Sequence, residues 1–171
     1  MSHTDIAFFL APDGSAASAH LGGPRPHRFA SVRGHYFDAY DAVEEWDTYF
    51  VGLSQDLPGR GQTFWQRTRC FVGLSRDLRR RGQTFWQQAR WIVPVSNDGS
   101  GMFALPPRLT RALASAGAEE LEELAARWAE RLRRLDGDDM TDDDLLAVMQ
   151  GVARLATSTV TTGGDLYCWF Y

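Results

Sequence analysis

Residues 141–171 read TDDDLLAVMQGVARLATSTVTTGGDLYCWFY. Two hydrophobic periods meet in this stretch, and together they set the fold class. Leu145, Met149, Val152 and Ala156 fall on one stripe of a helix. Thr141 with Asp144 three residues on resembles a capping box, with Asp in place of Glu, so the helix is expected to open there. Gly163-Gly164 breaks the chain. The residues after it, DLYCWFY (165–171), read as a strand too apolar to fray, and are expected to dock in a sheet.

Upstream, residues 118–135 place Leu121, Leu124, Ala125, Trp128, Leu132 and Leu135 on one helical face, with Gly137 as the stop. Pro106 and Pro107 open a shorter helix that ends near Gly117. Residues 90–95 and 101–105 predict a hairpin around Ser96-Asn97-Asp98-Gly99-Ser100. Near the other end, DIAFFL (5–10) reads as a buried strand, and burial alone makes it a neighbour of the last one. A loop is expected from Asp13-Gly14 through Gly22, Gly23, Pro24 and Pro26. A second strand is expected within RFASVRGHYF (28–37). Val43, Trp46, Phe50 and Leu53 mark a helix over 41–56, with Asp38 or Asp41 as N-cap. Helices mixed with short strands, without βαβ alternation, give an α+β fold: one domain over 1–171, a short and mainly antiparallel sheet packed against amphipathic helices.

The middle of the chain is written twice. Residues 50–70 and 71–91 form a tandem duplication with a 21-residue offset, FVGLSQDLPGRGQTFWQRTRC against FVGLSRDLRRRGQTFWQQARW. A partial third echo, IVPVSND (92–98), matches FVGLSRD (71–77) at the same spacing. One motif is thus expected to end a helix in one copy and form a strand in another. A loop through Pro58–Gly61 and a helix over 63–78 are expected between them.

At 171 residues the chain is long enough to bury about 70% of its unfolded surface, so it needs no disulfide or metal to fold. All 18 basic residues are Arg and Asn occurs once. That is the bias of a GC-rich bacterial genome, and it weakens any argument that one Arg was selected for chemistry. Net charge is −4, unevenly placed. Residues 50–90 carry eight Arg against two Asp, whereas 119–144 carry five Glu and six Asp against four Arg. The short apolar run near the N-terminus is neither a signal peptide nor a membrane span, so a cytoplasmic protein without membrane contact is expected.

Catalytic and metal motifs are scarce. Asp136–Asp144 fails the calcium-loop template, with Met140 fifth, Thr141 sixth and Ala147 twelfth. His20, His27 and His35 lack ligand spacing for zinc. Cys70 lies at the duplication junction, where the second copy has Trp91, and Cys168 sits between Tyr167 and Trp169 in an apolar strand. No GxSxG and no phosphate loop occur, and no cofactor or metal is expected.

What stands out is Arg interleaved with aromatics. Arg79, Arg80 and Arg81 precede Trp86, and Arg60 precedes Trp65. These six residues form the candidate surface for an anionic partner. The leading functional expectation is a non-enzymatic protein that binds another protein, its acidic 119–144 surface suiting a basic partner. An RNA- or single-stranded-DNA-binding module built on 60–90 is the alternative. A further alternative is an enzyme assembled from distant residues, with His35, Asp38, Asp98 and Arg90 as first suspects.

Overall fold

The computed structural model describes residues 5–18, 29–35, 37–55, 90–135 and 141–171. The expected helix over 63–78, the Pro58–Gly61 loop and Gly137 lie outside these residues. In chain order the elements are β1 (Ile6–Ala11), α1 (Gly14–Ser18), β2 (Ser31–Gly34), α2 (Ala39–Gln55), β3 (Arg90–Val93), β4 (Gly101–Ala104), α3 (Pro107–Ser115), α4 (Ala118–Leu135), α5 (Asp142–Thr162) and β5 (Asp165–Phe170). The strands form one sheet in the order β2-β1-β5-β4-β3, each pair antiparallel. This is the α+β arrangement that the periodicities predict.

The first and last strands are neighbours over six register pairs, from Ile6↔Phe170 to Ala11↔Asp165. Alternation then sorts their side chains. Ile6, Phe8, Leu166, Cys168 and Phe170 face the helices α2–α5 and join the main core with Phe103 of β4. Phe9, Ala11, Met102, Ala104 and Tyr167 face the other way, into a smaller cluster with Ala17 of α1. At the centre of the main core Trp46 of α2 and Trp128 of α4 meet edge to face, with centroids 5.3 Å apart. The Trp46 indole N–H is buried without a hydrogen-bond partner.

Helix boundaries follow from local chemistry. Asp38 caps α2: its Oδ1 accepts from the backbone N–H of Tyr40 at 2.7 Å and of Asp41 at 3.1 Å. The Thr141 side chain accepts from Asp144 N–H at 3.2 Å. Asp144 is too short to reach back to the backbone as Glu would, and accepts instead from the Thr141 hydroxyl at 2.7 Å. Gly163 ends α5 in the left-handed region (φ 79°), its N–H donating to Thr159 O at 2.9 Å.

Two local expectations are corrected. The loop after β1 begins with the helical turn α1, closed by Ala17 N–H donating to Asp13 O at 3.1 Å. The strand expected over 28–37 is only Ser31–Gly34. It stops because the Phe37 ring folds back over Gly34, where a Cβ would lie 2.5 Å from the ring. Phe37 thereby enters the core and meets Trp128 edge-on at 4.7 Å.

Gly164 ties α5 to the sheet. A Cβ there would lie 2.7 Å from the Ala11 carbonyl oxygen, a backbone atom inside the β1–β5 ladder that cannot step aside. Gly164→Ala is therefore expected to cost about 2 kcal/mol, as overpacking typically does. Thermal unfolding of the variant checks it, and an unchanged midpoint would contradict this close approach.

Candidate functional site

The surface formed by Arg60, Arg79, Arg80, Arg81, Trp65 and Trp86 lies outside the described residues, as does Cys70. The doubled segment begins inside α2, at Phe50, and ends at Trp91, the second residue of β3. The described residues show the repeated motif in two of its three occurrences, the one at 71–77 lying outside them. It is helical at 50–55, and at 92–98 it is strand and then turn. The same pattern takes its structure from the neighbours it packs against, Phe50 in the helical core and β4 in the sheet.

The four suspected catalytic residues serve separate structural tasks. His35 Nδ1 pairs with Asp5 Oδ1 at 2.5 Å beyond the end of β2. Asp38 caps α2. Asp98 closes the β3–β4 turn. Its carboxylate accepts from the Ser96 hydroxyl, from Ser100 N–H at 3.0 Å and from the Ser100 hydroxyl at 2.7 Å. Those hydrogen bonds, the Ser96 one foremost, lower its pKa to about 2. Arg90 reaches across the sheet. Arg90, Ala104 and Tyr167 occupy one cross-strand row, and the small Ala104 lets the guanidinium pass to Asp165 and to the Tyr167 hydroxyl at 3.3 Å. Burial, reinforced by the Asp165 charge, pushes the Tyr167 hydroxyl up to about 12, so it remains a proton donor to Asp165 at neutral pH.

The strongest electrostatic constellation is one that sequence reading missed. The buried Glu45 on α2 accepts from Arg127 Nε and Arg131 Nη1 of α4, each at 2.6 Å. Two residues on, Asp47 takes a bidentate pair from Arg108 of α3, at 3.0 and 2.7 Å. Burial outweighs that guanidinium and leaves the Asp47 pKa raised. Tyr49 donates to Glu123 at 3.0 Å, with Arg127 over its ring. Burial, and then that hydrogen bond, raise the Tyr49 pKa. These contacts fasten α2 to α3 and α4.

Three carboxylates of the acidic run expected to meet a basic partner have partners within the chain, Glu123 among them. Glu120 accepts from Gly117 N–H at the start of α4, and Glu130 pairs with Arg134 at 2.8 Å. Cys168 is fully buried, and desolvation pushes its thiol well up, which removes it as a nucleophile at neutral pH. Among the described residues no group of three or more His, Cys, Asp or Glu could hold a metal ion. No described helix is long and apolar enough to cross a membrane.

An aromatic pair remains on the sheet face turned away from the main helical layer. Trp169 is half-buried beside the exposed Tyr171, their rings 5.5 Å apart and tilted by 30°. Tyr171 is 57% exposed, yet its backbone is anchored by two hydrogen bonds with Asp5, each 3.1 Å. Arg33 stands exposed in the Trp169 row, two strands away across Ala7. That spacing is about 10 Å, within the reach of both side chains. No family model, curated protein or solved structure matches the chain.

Proposed function

We propose that this is a cytoplasmic bacterial protein that acts by binding another protein, without chemistry of its own. One observation carries the proposal: a tilted Trp169–Tyr171 ring pair stands on an anchored sheet strand, with an exposed Arg33 in the row of Trp169. Trp, Tyr and Arg dominate the energetics of protein interfaces: Trp and Tyr cover much apolar area at low entropic cost while keeping a polar end, and Arg presents a planar fork of donors. The rigid sheet lowers that cost further. The enzymatic alternative draws no support from His35, Asp38, Asp98 and Arg90, whose described contacts are structural.

A single-stranded nucleic acid is the second reading, since the same rings would stack on bases while Arg33 met phosphate. Salt separates the two. Nucleic-acid affinity would fall steeply with added salt, whereas an apolar protein contact would hold.

Affinity capture from lysate at two salt concentrations, with wild type beside Trp169→Ala/Tyr171→Ala, tests the proposal. A protein partner retained at both salts by wild type, and reduced at least about tenfold by the double variant, is expected. Equal recovery by both proteins would exclude this surface.

A further inference from the structure

One row of side chains crosses the sheet on the face turned away from the main helical layer. Cα partners place Arg33, Ala7, Trp169, Met102 and Val93 in line, one from each strand. Strands lie about 4.8 Å apart, so Arg33 and Val93 each stand about 10 Å from Trp169. Arg33 is exposed, and among the described residues no carboxylate pairs with it; Asp5, two residues before Ala7, pairs with His35. Trp169 and Val93 pack against the smaller cluster on this face and are only half-buried. Tyr171 widens the aromatic centre, and Val95, just past Val93, is more than half exposed. The row thus runs from a cation through an aromatic pair to an aliphatic end.

That polarity disfavours a second copy of the chain as the occupant. A two-fold axis through Trp169 sets Arg33 over the other copy's Val93 when it runs along the strands. It sets Arg33 over the other copy's Arg33 when it runs across them. Either way a guanidinium is covered without a carboxylate, which is costly. The spacing also selects among partner backbones. A β-strand repeats its side every two residues, about 6.7 Å, and misses a spacing of about 10 Å. A polyproline II helix repeats its side every three residues, about 9.3 Å, and matches it. Such a helix has no internal hydrogen bonds, arrives already ordered, and docks its prolines on exposed aromatic rings.

We propose, on the protein-binding reading above, that the partner presents a proline-rich segment laid across the strands as a polyproline II helix. A carboxylate of the segment meets Arg33. A proline three residues along packs on Trp169 and Tyr171, and an aliphatic residue three further on reaches Val93. The aromatic pair supplies affinity. Arg33 sets the direction in which the segment lies, because polyproline II presents a similar ridge in either chain direction.

Fluorescence anisotropy with labelled peptides and the full chain tests it. The probes are Glu-Pro-Pro-Pro-Pro-Pro-Leu and its reverse, each also made with Lys in place of Glu and with Gly and Ser in place of the prolines. One of the two acidic proline peptides should bind. Lys in the peptide, or Tyr171→Ala in the protein, should weaken it at least about tenfold, and Arg33→Glu should reverse the preference toward the Lys peptide. Both substituted side chains are exposed, so neither variant opens the core. No binding by either acidic proline peptide, equal binding by the Gly/Ser versions, or an unchanged preference in Arg33→Glu would overturn the proposal. So would a wild-type dimer in sedimentation equilibrium that Tyr171→Ala dissolves. Lysate capture keeps the two readings apart. A protein lost by Trp169→Ala/Tyr171→Ala but kept undiminished by Arg33→Glu would overturn the acidic, proline-rich segment and leave the protein-binding reading standing.

Discussion

Trp128→Ala is expected to remove about 4 kcal/mol of stability, the range for truncating a buried tryptophan. The residue is 1% exposed, on the α4 face formed by Leu121, Leu124, Ala125 and Leu132. It meets Trp46 edge to face at 84° and Phe37 at 79°. Such pairs add stability beyond the area they bury. Against the total stability of a small domain, about 5–15 kcal/mol, this is roughly a quarter or more. Trp128→Phe keeps one ring in the gap and should cost about half as much. Urea unfolding reads both through the midpoint at constant slope. A loss under about 1 kcal/mol for the alanine variant would mean that α4 does not close the core.

Glu45→Ala is expected to cost about 2–3 kcal/mol. Removing one partner of a fully buried ion pair costs about 3–5 kcal/mol, because the remaining charge is left unpaired. Here the guanidiniums of Arg127 and Arg131 are 30% and 36% exposed, and Arg131 keeps Asp41 at 3.7 Å, so water and that pair recover part of the loss. Glu45→Gln retains one acceptor and the packing and should lie between. Arg134→Ala provides the contrast. Its pair with Glu130 lies on the surface, 72% and 52% exposed, and such i,i+4 pairs contribute only about 0.5 kcal/mol. Equal losses for Glu45→Ala and Arg134→Ala would show that the α2–α4 contact is not held by charge.

The elements were legible where one period dominated. The stripes of α4 and α5, the prolines before α3 and the Ser/Asp turn between β3 and β4 each act within a few residues, and the structure follows them. The pairing of β1 with β5 was legible because both are too apolar to stand at an edge. What connects the elements was not legible. Glu45 and Arg131 are 86 residues apart, and Asp47 and Arg108 are 61 apart. No local pattern links a carboxylate to the guanidinium that will neutralise it. Arg90 looked like part of a basic cluster because its sequence neighbours are basic, but its sheet neighbours are Ala104, Tyr167 and Asp165. Trp169 and Tyr171 read as core residues of an apolar strand. Alternation turns them to the face opposite Cys168 and Phe170, a division set only once the helices have chosen a side.

The central claim is that an α+β fold holds a doubled 21-residue unit, with the first copy supplying the last six residues of α2 and the second copy the first two residues of the edge strand. Its most direct test compares the melting temperatures of two deletions. Removing 50–70 brings Phe71-Val72-Gly73-Leu74-Ser75 to the end of α2, identical to the residues lost, and keeps Arg90 and Trp91. Removing 71–91 brings Arg69 and Cys70 to the start of β3, restoring the arginine but losing the indole. The first deletion should melt within about 2 °C of wild type. The second should melt about 4–8 °C lower, the shift that roughly 2 kcal/mol gives in a chain of this size. Two unfolded proteins, or two deletions that melt together well below wild type, would contradict the claim.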